Sequence, residues 1–210
     1  MKKLNIVNGD IILLNGIMKR GQLIISNGKI EAIHEQPVEV ADVELIDASG
    51  KFVSPGFIDM HIHGGGGYDF MDGTEEAFLR IAKLHAQHGT TAMLPTTLSG
   101  SAEELIQTLE AYKKATVSNT QGAQFLGMHL EGPYFAMNQR GAQDPKYIRN
   151  PDPAEYEAII AAYPFITRWS AAPELPGALE FADYMKAHGV LPALAHTDAI
   201  CAEVEKGFAH

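Results

Sequence analysis

Cysteine is nearly absent. The 210 residues hold one, Cys201, which excludes an internal disulfide and a thiolate zinc framework and leaves nothing that requires an oxidising compartment. Basic residues are also scarce: Lys plus Arg total 16 against 26 Asp plus Glu, a formal net charge of −10. The electrostatic footprint of a nucleic-acid binder is therefore missing. No apolar run approaches the roughly 18 residues of a membrane-crossing helix. Met1-Lys2-Lys3 imitates the basic start of an export signal, yet Asn5, Asn8, Gly9 and Asp10 cut the apolar stretch behind it. Low-complexity tracts are lacking, as are repeats beyond a strand–helix alternation. These absences leave a globular, cytoplasmic protein with no nucleic-acid and no membrane partner. With 46% hydrophobic and 20% charged residues, it has the means to bury a core. At roughly 150 residues per domain, the length allows one substantial domain and a small appendage.

From Leu4 to Val53 short β-branched runs are broken by Asn8-Gly9, Asn15-Gly16, Asn27-Gly28 and Ser49-Gly50, which predicts a small antiparallel β unit. After Ser54-Pro55 the rhythm changes to apolar strands followed by amphipathic helices, the mark of parallel βα units. Five strands are predicted, over residues 56–63, 90–97, 124–131, 166–174 and 190–196. Helices are predicted over 74–88, 101–117, 153–163 and 179–188, with a last one from 199. Thr74 is the expected N-cap of the first, and Gly89 and Gly189 are expected to end two of them. A (β/α)₈ barrel takes about 250 residues, so only five of its eight units fit. An open doubly wound sheet is the arithmetic alternative, but its dinucleotide fingerprint is missing. The run Gly64 to Gly67 reads as a flexible loop.

The chemistry-bearing residues gather at predicted strand ends. In Ile58-Asp59-Met60-His61-Ile62-His63, alternation puts Asp59, His61 and His63 on one face and the three apolar side chains on the other. Nine histidines give about 0.4 such pairs by chance, so the pair alone says little. The third strand, however, ends in Glu131 and the fifth in His196. Imidazole and carboxylate groups at three strand ends suit an open N/O metal site. His129 shares the face of Glu131 one step deeper and reads as a hydrogen-bonded core residue. Thr96, Thr97 and Glu174 read as loop-shaping groups, His34, His85, His88 and His188 as surface or packing residues, and Cys201 as a helix-face residue.

Pro55-Gly56-Phe57-Ile58-Asp59 running into His61-x-His63-Gly64 resembles the opening of the amidohydrolase superfamily. Within that superfamily, three further stretches are similar to the N-acetylglucosamine-6-phosphate deacetylases: His129-Leu130-Glu131-Gly132-Pro133, Ala172-Pro173-Glu174 and Ala195-His196-Thr197-Asp198-Ala199. The resemblance covers essentially the whole chain but only the N-terminal part of the family. It implies an α/β fold, the (β/α)₈ TIM barrel of metal-dependent hydrolases, incomplete here at about five βα units. A small β-sandwich-like domain, built from both chain ends, is expected over residues 1–54 and the first part of the barrel over 55–210. It also implies a divalent metal, usually zinc, as one or two ions, held by His61, His63, Glu131 and His196.

By the same resemblance the enzyme removes acetate from N-acetylglucosamine 6-phosphate in amino-sugar catabolism, using water activated by the metal, and is a homodimer when complete. A catalytic aspartate and a further metal histidine of the family are expected beyond His210, so the chain alone is expected to be inactive. Ala142 and Gln143 match the family's substrate-binding loop. Gln143 stands where relatives often have histidine and brings no positive charge, and Arg140, Lys146 and Arg149 are nearby anion candidates. Two alternatives stay open. One is another amidohydrolase acting on a different amide, although the carboxylated lysine common in such relatives has no counterpart over residues 166–174. The other is a non-catalytic metal-binding half-barrel fragment.

Overall fold

The computed structural model describes residues 3–210 and divides into two compact units, Met1–Gly56 and Phe57–His210. In the first, β1 (Lys3–Leu13), β2 (Gly16–Ser26), β3 (Lys29–His34), β4 (Val43–Asp47) and β5 (Phe52–Val53) form one sheet. β1 pairs antiparallel with β2, and β2 with β3, but β4 and β5 run parallel to β1. The sheet is thus mixed, where the turn dipeptides predicted an antiparallel one. Among its described residues it is a single sheet and not two stacked ones.

The physical reason is a crossover. The buried Gln22 side chain takes the place of a strand partner, accepting from Val38 N at 2.7 Å and donating to Val38 O at 3.0 Å, so the chain returns across the sheet before β4. Asn8-Gly9 is likewise no turn. It is a bulge inside β1, where the pairing register shifts and Asn8 takes φ 63°. A Cβ on Gly9 would lie 2.5 Å from the Val53 side chain, so only glycine permits this approach.

The second unit alternates strand and helix. Its elements are β6 (Phe57–Ile62), β7 (Gly64–Gly65), β8 (Tyr68–Asp69), α1 (Glu75–Gln87), β9 (Thr90–Pro95), α2 (Ala102–Ser118), β10 (Gln124–Phe125) and β11 (Met128–Glu131). They continue as α3 (Pro153–Ala162), β12 (Ile166–Ala171), α4 (Ala178–Ala187), β13 (Leu191–Leu194) and α5 (Cys201–Ala209). β6 pairs parallel with β9, and β9 with β10. A parallel bridge from Thr96 to His129 carries the order on to β11, which pairs with β12 and then β13. Neighbours in space are therefore neighbours in sequence. That is the winding of a barrel and excludes the doubly wound alternative, whose strand order reverses.

Thr74 caps α1 by accepting from Ala77 N at 3.2 Å, and Ser101 with Glu104 forms a capping box on α2. Gly89 and Gly189 are left-handed just past α1 and α4. The glycine run is not a loose loop: Gly64-Gly65 pairs with Tyr68-Asp69 as a hairpin, with Gly66 and Gly67 both at positive φ in its two-residue turn. The core lies between strands and helices, where Met93, Leu109, Met128, Leu130, Tyr134, Trp169 and Phe181 are fully buried. Their alternation leaves His129, Glu131 and Ser170 to the opposite side of the same strands. Ile58 and Met60, expected on the apolar face of β6 together with Ile62, are exposed, whereas Ile62 is buried. No helix described is long and apolar enough to cross a membrane.

Candidate metal centre

Four elements bring the site together. His61 lies near the end of β6 and His63 just past it, Glu131 is the last residue of β11, and His196 follows β13 by two residues. Ser170 on β12 lies beneath them, against His129. Glu131, 5% exposed, is the centre. His61 Nε2 is 3.3 Å and His63 Nε2 3.0 Å from its Oε2, and His196 Nε2 is 3.0 Å from its Oε1. The two Nε2 atoms of His61 and His63 are 3.3 Å apart. Among the described residues, His61, His63 and Glu131 form a group with ligand atoms mutually within 4.8 Å.

Hydrogen bonds settle which ring nitrogens face inward. His63 Nδ1 donates to the Thr96 carbonyl at 3.2 Å and His196 Nδ1 to the Gln139 carbonyl at 2.7 Å. A carbonyl only accepts, so each Nδ1 carries a proton and each Nε2 turns toward the carboxylate. An Nε2 lone pair against a carboxylate oxygen at 3.0 Å is repulsive unless a positive charge joins them. A proton supplies one such charge, and the Glu131 carboxylate accordingly raises the His63 pKa above its ordinary value. Burial alone would push Glu131 up, but the hydrogen bonds from His63 and His196 and the charge of His61 hold its carboxyl down to about 2. A divalent cation fits the same place. Metal–ligand bonds of about 2.0–2.1 Å in a tetrahedron set ligands about 3.3 Å apart, the spacing these atoms have.

A buried polar chain braces these side chains from beneath. Thr96 Oγ1 gives its proton to Leu94 O at 3.0 Å and accepts from Ile62 N at 3.2 Å. Its contact with His129 Nδ1 at 3.3 Å therefore takes a proton from the ring, and Ser170 Oγ donates to His129 Nε2 at 2.7 Å. Burial, then the nearby charges of Arg168 and His61, push the His129 pKa down to about 3. The ring is neutral and meets His61 edge-on, with centroids 4.9 Å apart.

The substrate loop expected around Ala142 and Gln143 runs beside His196: a Cβ on Gly141 would lie 3.6 Å from His196 Cε1, and Phe135 packs on the same ring at 4.4 Å. Gln143 is buried, its Oε1 accepting from Ser99 N at 2.7 Å, so only its amide nitrogen is left to meet a ligand. Ala142 is exposed. The anion candidates are engaged elsewhere. Arg149 binds Glu155 and the Tyr147 carbonyl, Lys146 pairs with Asp144, and Arg140 donates to Met137 O. The sequence reading missed Gln139, Ser99 and Ser170, whose partners lie more than 40 positions away in sequence and which follow no local pattern.

The amidohydrolase family profile matches residues 52–209. Among curated proteins, an N-acetylgalactosamine-6-phosphate deacetylase of Escherichia coli O157:H7 is 33% identical over 188 residues, 89% of this chain and 48% of that protein. An N-acetylglucosamine-6-phosphate deacetylase of Bacillus subtilis is 31% identical over 194 residues, 90% of this chain and 49% of that protein. The chain spans about half the length of the curated relatives it matches. Among solved structures, a mutant N-acetyl-D-glucosamine-6-phosphate deacetylase from Mycobacterium smegmatis, in complex with N-acetyl-D-glucosamine 6-phosphate, superposes with TM-score 0.88 at 25% identity. That match covers 100% of this chain and 54% of the other. The N-acetylglucosamine-6-phosphate deacetylase of Thermotoga maritima gives TM-score 0.81 at 26% identity, over 98% of this chain and 52% of the other.

Proposed function

The chain belongs to the amidohydrolase family, and on that premise we propose that it is the metal-binding part of a deacetylase that hydrolyses N-acetylglucosamine 6-phosphate to glucosamine 6-phosphate and acetate. The observation that carries this reading is the convergence of three imidazole Nε2 atoms on one buried carboxylate. The Glu131 oxygens divide between them, Oε2 facing His61 and His63 and Oε1 facing His196. His61 and His63 with Glu131 would hold one ion and His196 with Glu131 a second, and nitrogen and oxygen donors without thiolate suit zinc or a similar first-row cation. A cation held there lowers the pKa of its water to about 7 and polarises an amide carbonyl.

The chain's own residues do the rest. Thr96 and Gln139 carbonyls keep the Nδ1 protons turned outward, and the neutral His129 keeps a second positive charge from forming beneath the cation. Gln143, held by Ser99, offers an amide N–H to a sugar or phosphate oxygen, with Ala142 beside it. Among the described residues, three further carboxylates of the strand-end motifs are committed to other partners. Asp59 Oδ1 accepts from His61 N, Glu174 binds Thr197 and Asp198, and Asp198 accepts from Gln139. This supports a general base outside residues 1–210. The similarity to a protein named as an N-acetylgalactosamine-6-phosphate deacetylase supports the galacto epimer as a second candidate substrate.

The test is acetate release by the natural-length protein from both N-acetylhexosamine 6-phosphates, before and after chelation and after zinc is restored. The gluco substrate is expected to have the higher kcat/KM, with activity lost to the chelator. Activity indifferent to metal removal would overturn the proposal, and a galacto preference would replace the substrate.

A further inference from the structure

His196 is the only non-glycine residue at positive φ among the described residues of the second unit, at φ 49°. Left-handed backbone crowds the Cβ of an L-residue and persists where the surroundings over-determine it. Upstream, the restraint is the sheet: Leu194 is paired to Ala171, and Ala195 N donates to Ala171 O at 3.2 Å. On His196 itself, its carbonyl accepts from Ala136 N at 2.9 Å. Downstream, no strand or helix begins until Cys201. There two side chains hold the segment: Gln139 Nε2 donates to Asp198 Oδ1 at 2.6 Å, and Glu174, from the loop after β12, takes both residues that follow His196. Glu174 Oε2 accepts from Thr197 Oγ1 at 2.6 Å and Glu174 Oε1 from Asp198 N at 2.7 Å. Thr197 Oγ1 in turn accepts from Ala199 N at 2.9 Å.

We propose that Glu174 is a positioning residue for His196: by gripping the two residues that follow, it holds His196 left-handed and thereby presents Nε2 to Glu131. Without that grip φ relaxes to negative values, Cβ swings round, and the ring leaves both Glu131 and the Gln139 carbonyl. The grip needs two aligned acceptor or donor positions and not a negative charge as such. The inference rests on the reading of His196 as a metal ligand.

The test titrates cobalt(II) chloride into metal-stripped, natural-length protein and follows visible absorption. A His61→Ala/His63→Ala background isolates the ion at His196, and a His196→Ala background isolates the other. Glu174→Ala is expected to weaken the His196 ion about tenfold or more, the usual cost of losing a group that orients a ligand, and to leave the other ion unchanged. Glu174→Gln is expected to stay within about threefold of the parent, because its oxygen can accept from Asp198 N while its amide donates to the Thr197 hydroxyl. Unchanged binding in Glu174→Ala, equal loss at both ions, or Gln as damaging as Ala each overturns the proposal. If Glu174→Ala does not fold, Thr197→Val decides: it removes the bond to Glu174 Oε2 together with the one from Ala199 N, and an unaffected His196 ion refutes the grip. Cobalt binding that survives His196→Ala in the double-variant background refutes the ligand reading itself. Loss there with none in Glu174→Ala refutes only the positioning role.

Discussion

His129 shows how much a single residue's surroundings decide. It is fully buried, its Nδ1 proton is directed at a Thr96 oxygen whose own proton is committed, and its Nε2 is occupied by the Ser170 hydroxyl. Burial, with Arg168 and His61 adding to it, lowers its pKa from 6.5 to about 3. The unfolded chain therefore binds a proton here between about pH 6.5 and 3 that the folded protein refuses. Stability from this group is complete above 6.5 and falls as pH drops through that window. Glutamine can hydrogen-bond in its place but does not titrate. The stability advantage of the metal-free parent over His129→Gln is expected to shrink by roughly 1.4 kcal/mol per pH unit below 6.5. Urea unfolding of both proteins from pH 7 to 4.5 measures it. A difference that stays constant over this range would show that His129 takes up its proton in the folded protein as well.

At the scale of elements, the site depends on side chains that tie one strand to the next. Thr96 joins β6 to β9 through Ile62 N and reaches His129 on β11, and Thr97 Oγ1 accepts from Glu131 N at 3.3 Å. These bonds sit where ladder pairing is irregular: the β6–β9 register shifts between Asp59 and Ile62, and the pairing of Thr96 with His129 is an isolated bridge outside the strands. Valine keeps the shape of Thr96 but leaves the Ile62 amide and the His129 Nδ1 proton without an acceptor. Thr96→Val is expected to cost about 1–3 kcal/mol, and a calorimetric Tm lower by several degrees is the check. It should also weaken metal binding. Ser101→Ala, which opens the α2 cap at a cost of about 1 kcal/mol, should leave metal content alone. Metal loss in both variants or in neither would mean that the strand ties do not support the site.

On the scale of the whole molecule, the second unit presents apolar surface at both ends of its strand order. β6 pairs only with β9 and β13 only with β12 among the described residues. Phe57, Ile58 and Met60 on β6 are exposed, as are Leu191 on β13 and Ile200 and Phe208 around α5. Unpaired strand edges flanked by such side chains are sticky. The purified 210-residue chain is expected to self-associate with rising concentration and to bind a hydrophobic dye. Sedimentation velocity over a concentration series tests this. A dye-silent monomer throughout would mean that these surfaces are covered in a way the strand pairing does not show.

The sequence by itself determined the alternation of strand and helix, the cap at Thr74, and the candidates His61, His63, Glu131 and His196, because period-two and helical patterning are local and imidazoles at strand ends stand out. It did not determine how those candidates are held. Asn8-Gly9 reads as a turn from its dipeptide alone and becomes a bulge because Val53 and Ala48 lie against Gly9. Arg149 reads as an anion binder and is taken by Glu155. The inward-facing Nε2 atoms and the neutral His129 follow from partners 33 to 57 positions distant, and the segment that follows the left-handed His196 is bonded to Glu174, 23 and 24 positions back. Tertiary structure decided those features, since a hydrogen bond's direction and a ring's tautomer depend on which groups the fold brings into contact and not on the residues alongside in the chain.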